Sequence, residues 1–158
     1  MLRKKVPMKE LAEVVKLQLN NGGKANLTVT GSSMQPMLVS GRDSVTLIPP
    51  GDEKKGDVVL YQRTNGQYVL HRIIDVTGDG YIISGDNQAM REPVGKDQLV
   101  AVVESFTRNG KQYSRDTAFY RLYQTVWVEL FFLRPLYIAA RRPLGNLRRR
   151  IKKKIHKQ

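Results

Sequence analysis

The chain has 158 residues, 41% of them hydrophobic and 26% charged, proportions that suit one folded domain with an appended segment. It contains no cysteine and two histidines, His71 and His156, which excludes disulfide scaffolds, zinc fingers, iron–sulfur clusters and cysteine nucleophiles and gives no reason to expect a metal or cofactor. The formal net charge is +13, yet ten of the 27 basic residues lie between Arg134 and Gln158, where there is no acid, so the excess belongs to the tail and the body is nearly balanced.

Met1 to Lys5 is basic, but no apolar run succeeds it, because Lys9, Glu10, Glu13 and Lys16 intervene, so no secretory signal is expected. Met8, Leu11, Val15 and Leu19 fall at helical spacing before Asn20-Asn21-Gly22-Gly23, which predicts one amphipathic helix in a segment 1–22. The pattern then becomes β-rich over Asn26–Thr30, Ser44–Ile48, Asp57–Gln62, Gln67–Val76, Gly80–Ser84 and Leu99–Phe106. Asn65-Gly66, Asp79-Gly80 and Asn109-Gly110 lie at or between these runs and carry hairpin-turn chemistry. The expected fold is therefore mainly β, with a small antiparallel body over 23–115. Beyond it, Phe119, Leu122, Tyr123, Val126, Trp127, Leu130 and Leu133 recur at intervals of mostly three and four residues. They predict a helix as far as Pro135, opening an amphipathic, polybasic segment 116–158. Its most apolar stretch, Thr125 to Ala140, holds Glu129, Arg134 and Pro135 and reads as interfacial rather than spanning.

Three segments carry chemistry. Gly31-Ser32-Ser33-Met34-Gln35-Pro36 comes after the first strand, Tyr68-Val69-Leu70-His71-Arg72 holds the one histidine of the body, and Ser84-Gly85-Asp86-Asn87 closes the next strand. A serine hydroxyl needs a base to become a nucleophile, and a neutral imidazole is suited to take its proton. A carboxylate on the far ring nitrogen would orient that imidazole, and a glycine-flanked turn offers backbone N–H groups to an oxyanion. Ser33, His71 and Asp86 are the candidates, with Ser32, Met34 and Pro36 as the wall of the site. Each also has an ordinary structural reading, as a turn serine, a core histidine and a turn aspartate.

The order and wording of these segments resemble the signal peptidase I family, in the clan that includes LexA-type self-cleaving repressors. Ser33-Met34-Gln35-Pro36 is similar to its nucleophile box, Gly56-Asp57-Val58-Val59 to the next, Val69-Leu70-His71-Arg72 to the general-base strand and Gly85-Asp86-Asn87 to the last. The resemblance spans roughly residues 26–104. It implies a coiled, barrel-like β body, a serine endopeptidase activity and a substrate bound as an extended strand, with small side chains before the cut. Histidine at position 71, where most bacterial members carry lysine, resembles the endoplasmic-reticulum and archaeal type and implies a Ser/His/acid mechanism. Asp86 matches the acidic box, with Glu92 in reserve. The family's oxyanion hole uses the nucleophile's own N–H; a serine that helps in some members is replaced here by Gly31. The membrane span that precedes the serine box in signal peptidases has only the polar helix 8–20 in its place.

Two other functions fit the same residues. A LexA-type regulator would need a helix-turn-helix ahead of Ser33, and a binding module could keep the fold without turnover. For the tail, a solvated run and a nucleic-acid contact are the alternatives to an anionic membrane surface. The membrane is favoured because Trp127, Phe131, Phe132, Leu133, Leu136, Tyr137 and Ile138 directly precede most of the charges. The expected location is peripheral membrane or cytoplasmic.

Overall fold

A computed structural model describes residues 8–140; residues 1–7, His156 and most of the basic tail lie outside the described residues. The first helix is α1 (Met8–Asn20), and it buries Ala12, Val15 and Leu19. Eight strands come next: β1 (Ala25–Thr28), β2 (Ser44–Ile48), β3 (Val58–Gln62), β4 (Tyr68–Val76), β5 (Gly80–Ser84), β6 (Glu92–Gly95), β7 (Leu99–Arg108) and β8 (Lys111–Ser114). The six expected runs are all strands: Ser44–Ile48 and Gly80–Ser84 match at both ends, and the other four differ by at most two residues at an end. β6 and β8 are additional.

Every ladder is antiparallel, and the sheet runs β1-β2-β7-β3-β4-β5-β6 with β8 on β7. The edge strands β1 and β6 do not pair with each other, so hydrogen bonding leaves the sheet open where a barrel-like body was expected. The β7–β8 turn puts Asn109 at φ 51° and Gly110 at φ 76°, the left-handed pair that a tight hairpin requires. In the Asn65-Gly66 turn only the glycine does so, and in Asp79-Gly80 neither residue does.

β3 reads as a continuous apolar run because both of its faces are covered. Val58 and Leu60 join α1, β1, β2 and β7 in one core, whereas Val59 and Tyr61 join Ile73, Tyr81, Ile83 and Val102 in a second. Each fully buried aliphatic side chain stabilises the fold by about 1.5–3 kcal/mol before entropy is counted.

The C-terminal helix differs from expectation. α2 spans Ala118–Glu129 and gives way to a 3₁₀ turn at Phe131–Leu133. Helical backbone resumes over 134–140. Pro135 thus starts a helix rather than ending one, a position where its missing N–H costs nothing. The apolar stripe also points outward: Tyr120 and Val128 are buried, while Phe119, Leu122, Val126 and Leu130 are exposed. No helix among the described residues is long and apolar enough to cross a membrane.

Candidate active site

Ser33 lies in the β1–β2 connection, which is anchored by the buried side chains of Met34, Met37 and Leu38. Pro36 comes after a cis peptide bond in the same turn. Ser32 is exposed and Ser33 half-buried. The segment is tied to the loop after β5, where Asn87 N–H donates to the Ser33 carbonyl oxygen at 2.7 Å and Asn87 Nδ2 donates to that of Ser32 at 3.3 Å.

His71 stands on β4 opposite Val59 and is 3% exposed. Its place relative to Ser33 is read at Gly85. A Cβ on that residue would lie 2.7 Å from the Ser33 carbonyl oxygen, 3.0 Å from His71 Nε2 and 3.0 Å from Gln88 Oε1. The serine segment and the imidazole therefore meet across a position where no side chain fits. Among the described residues, the Ser33 hydroxyl, the Ser33 N–H and His71 Nε2 make no hydrogen bond. A catalytic hydrogen bond that is open in the free protein is common, since many close only around substrate.

The other ring nitrogen has a partner that the sequence reading missed. Val59 and Tyr61 share one face of β3, so Tyr61 lies diagonally across from His71, and its hydroxyl is 3.4 Å from His71 Nδ1. That hydroxyl donates to Glu92 Oε2 at 2.8 Å, so its lone pair faces an Nδ1–H, the tautomer that leaves the free lone pair on Nε2. Arg63 holds the same carboxylate with Nε and Nη2 at 2.8 and 2.6 Å. The Arg63 hydrogen bonds hold the Glu92 carboxyl below its ordinary range. Burial, then the hydrogen bond to Glu92, push the Tyr61 phenol upward. Burial, aided by the Arg63 charge, pushes His71 down to about 4 against the opposing pull of Glu92 and Asp86. The imidazole is neutral at ordinary pH.

Asp86 is elsewhere. Consecutive strand residues face opposite sides, so Arg72 leaves the His71 face, and it takes both Asp86 oxygens at 2.8 Å through Nε and Nη2. Both residues are fully buried. Tyr123 donates to Asp86 Oδ2 and Trp127 to its carbonyl oxygen, while Arg72 Nη1 reaches the Gly56 carbonyl oxygen and the Tyr120 hydroxyl. Arg134 donates to the Gly85 carbonyl oxygen at 2.8 Å and lies 3.9 Å from Asp86 Oδ1. Burial, with Arg72 adding to it, pushes Arg134 down to about 10 against the Asp86 charge. Asp86 makes no hydrogen bond to His71, and its carboxylate belongs to a buried ion cluster that fastens α2 to the loop.

A cleft of about 260 Å³ adjoins Ser33, lined by Leu27, Val29, Thr30, Met34, Tyr68, Val69 and Leu70. It lies between two free backbone edges. β1 has a partner on one side only, and Tyr68–His71 of β4 pair with β3 while the β5 ladder starts at Arg72. A larger cavity of about 670 Å³ between α1 and the β3–β4 turn includes Arg63 but neither Ser33 nor His71. No group of three or more His, Asp and Glu side chains among the described residues is placed to hold a metal ion.

No protein-family model matches the chain, and comparison with curated proteins finds no match.

Proposed function

We propose that the protein is a serine endopeptidase similar to signal peptidases of the histidine type, with Ser33 as nucleophile and His71 as general base. The observation that carries this reading is the meeting of the Ser33 segment and His71 Nε2 at Gly85, with His71 Nδ1 turned to Tyr61. Ser33 Oγ adds to the scissile carbonyl carbon while His71 Nε2 takes its proton. The tetrahedral oxyanion meets the free N–H of Ser33. Collapse breaks the C–N bond, and the leaving amine receives the proton from His71. Water then adds to the acyl carbon as it gives a proton to the same nitrogen, and collapse breaks the ester C–O bond while that proton passes to Ser33 Oγ.

The acid of this mechanism is Glu92 acting through Tyr61, in preference to Asp86. Glu92 polarises the phenol, and the phenol oxygen accepts the Nδ1–H that the imidazolium must keep. The cleft beside Ser33 supports an extended peptide between β1 and β4, donating and accepting main-chain hydrogen bonds at both free edges. The apolar lining fits small aliphatic side chains next to the cut.

A fluorophosphonate probe tests the nucleophile directly. The wild-type chain is expected to be labelled at Ser33, with labelling lost in Ser33→Ala and cut at least about 10³-fold in His71→Ala. Because the base works as neutral imidazole, labelling should fall only as pH drops toward about 4. Equal labelling of the wild type and Ser33→Ala would remove the proposal. The unmade Ser33–His71 hydrogen bond favours one competing reading, a peptide-binding module without turnover. Peptide binding with no labelling at any pH would establish that reading instead.

A further inference from the structure

We propose that the outward face of α2 and the turn after it seat the protein on an anionic phospholipid bilayer. The inference concerns the side of α2 turned away from Ser33 and stands independently of the peptidase reading. Phe119, Leu122, Val126, Leu130 and Leu133 succeed one another at three- and four-residue steps and are all exposed. Leu122 is 65% exposed, and beyond the helix Phe132 and Leu136 reach 70% and 69%. Met90 is exposed as well, and Arg91 brings its loop against the Phe131 ring at 5.7 Å.

The opposite face of the helix is committed to the protein through Tyr120, Tyr123 and Trp127. The stripe therefore cannot turn inward without breaking the contacts to Arg72 and Asp86. An apolar helix face of this extent needs a cover, and the charges next to it select which one. The acids of residues 116–140 are both paired, Asp116 with Arg121 and Glu129 with Lys55. From Arg134 to Gln158 the sequence has ten basic residues and no acid. An anionic leaflet satisfies both features, with acyl chains against the stripe and headgroups against the arginines and lysines. A second copy would cover the stripe but bring two strongly basic tails together. Nucleic acid would meet the charges and leave Leu122, Val126 and Leu130 in water.

The test is flotation of the full chain with vesicles of phosphatidylcholine alone or mixed with phosphatidylglycerol. Removing residues 116–158 would also undo the contacts to Asp86, so point variants are used. The expected result is binding to the mixed vesicles, at least about tenfold tighter than to phosphatidylcholine and weakened by salt. Leu122→Glu/Phe132→Glu should reduce it at least about tenfold while thermal unfolding is unchanged. Lys152→Gln/Lys153→Gln/Lys154→Gln should weaken it by about fivefold per charge. Undiminished binding by the stripe variant overturns the proposal, as does equal binding to phosphatidylcholine. A wild-type dimer that the stripe variant converts to monomer, with no vesicle binding by either, assigns the face to a second copy and also overturns it.

Discussion

His71 and Arg72 are neighbours in the chain and stand on opposite faces of β4, in contrasting surroundings. On the Arg72 side, the guanidinium, the Asp86 carboxylate and the hydroxyls of Tyr120 and Tyr123 are hydrogen-bonded to one another. On the His71 side, among the described residues, the Ser33 hydroxyl beside a cleft and the Nε2 of the almost wholly buried His71 make no hydrogen bond. Saturated polar groups hold a structure in place, whereas unsaturated ones beside open space are free to react. The difference gives Arg72 a structural role and leaves His71 to the chemistry proposed for it.

The largest effect that could break this contrast lies on the saturated side. Asp86→Ala leaves two buried guanidinium groups facing each other and is expected to lower unfolding stability by about 3–5 kcal/mol, measured in urea. Full stability with lost turnover would return Asp86 to the catalytic machinery. On the other side, His71 titrates near 4 when folded and near 6.5 when unfolded, so the unfolded chain binds more protons between those values. Its contribution is complete above pH 6.5 and shrinks as pH falls through about 4. The loss should reach up to about 3 kcal/mol, and His71→Asn should remove this part of the pH dependence. Gly85→Ala would place a methyl group 2.7 Å from the Ser33 carbonyl oxygen. The expected costs are about 1–3 kcal/mol of stability and about 10²-fold in turnover. Smallest is Tyr61→Phe, which keeps the ring and removes the hydroxyl. A loss of about tenfold in turnover, with the KM for peptide unchanged, would mark Tyr61 as a positioning residue.

Much of the fold could be read from the chain because its strands announce themselves by β-branched residues and its hairpins by glycine. β6 escaped because Pro93 and Gly95 make Glu92–Gly95 a poor strand by composition, tolerated at a sheet edge where one side needs no donor. β8 escaped because Lys111-Gln112-Tyr113-Ser114 is almost wholly polar. Ser33 and His71 were picked out by segments that resemble a known family, although each also has an ordinary structural reading. The link from His71 to Glu92 was not legible, because the register of β3 against β4, invisible in one sequence, decides that Tyr61 reaches His71. Likewise, nothing in Gly85-Asp86-Asn87 shows that Arg72 claims the carboxylate. The outward stripe of α2 has the period of a core helix, and which face it would bury depended on aromatic contacts to a loop some forty residues upstream.

That dependence has a consequence for the order of assembly. Trp127 and Arg134 fasten the loop of residues 85–88 across 41 to 49 residues of sequence. A nascent polypeptide that has released only its strands from the ribosome has both Ser33 and His71, but the loop that meets the Ser33 segment still lacks its fastening to the C-terminal helix.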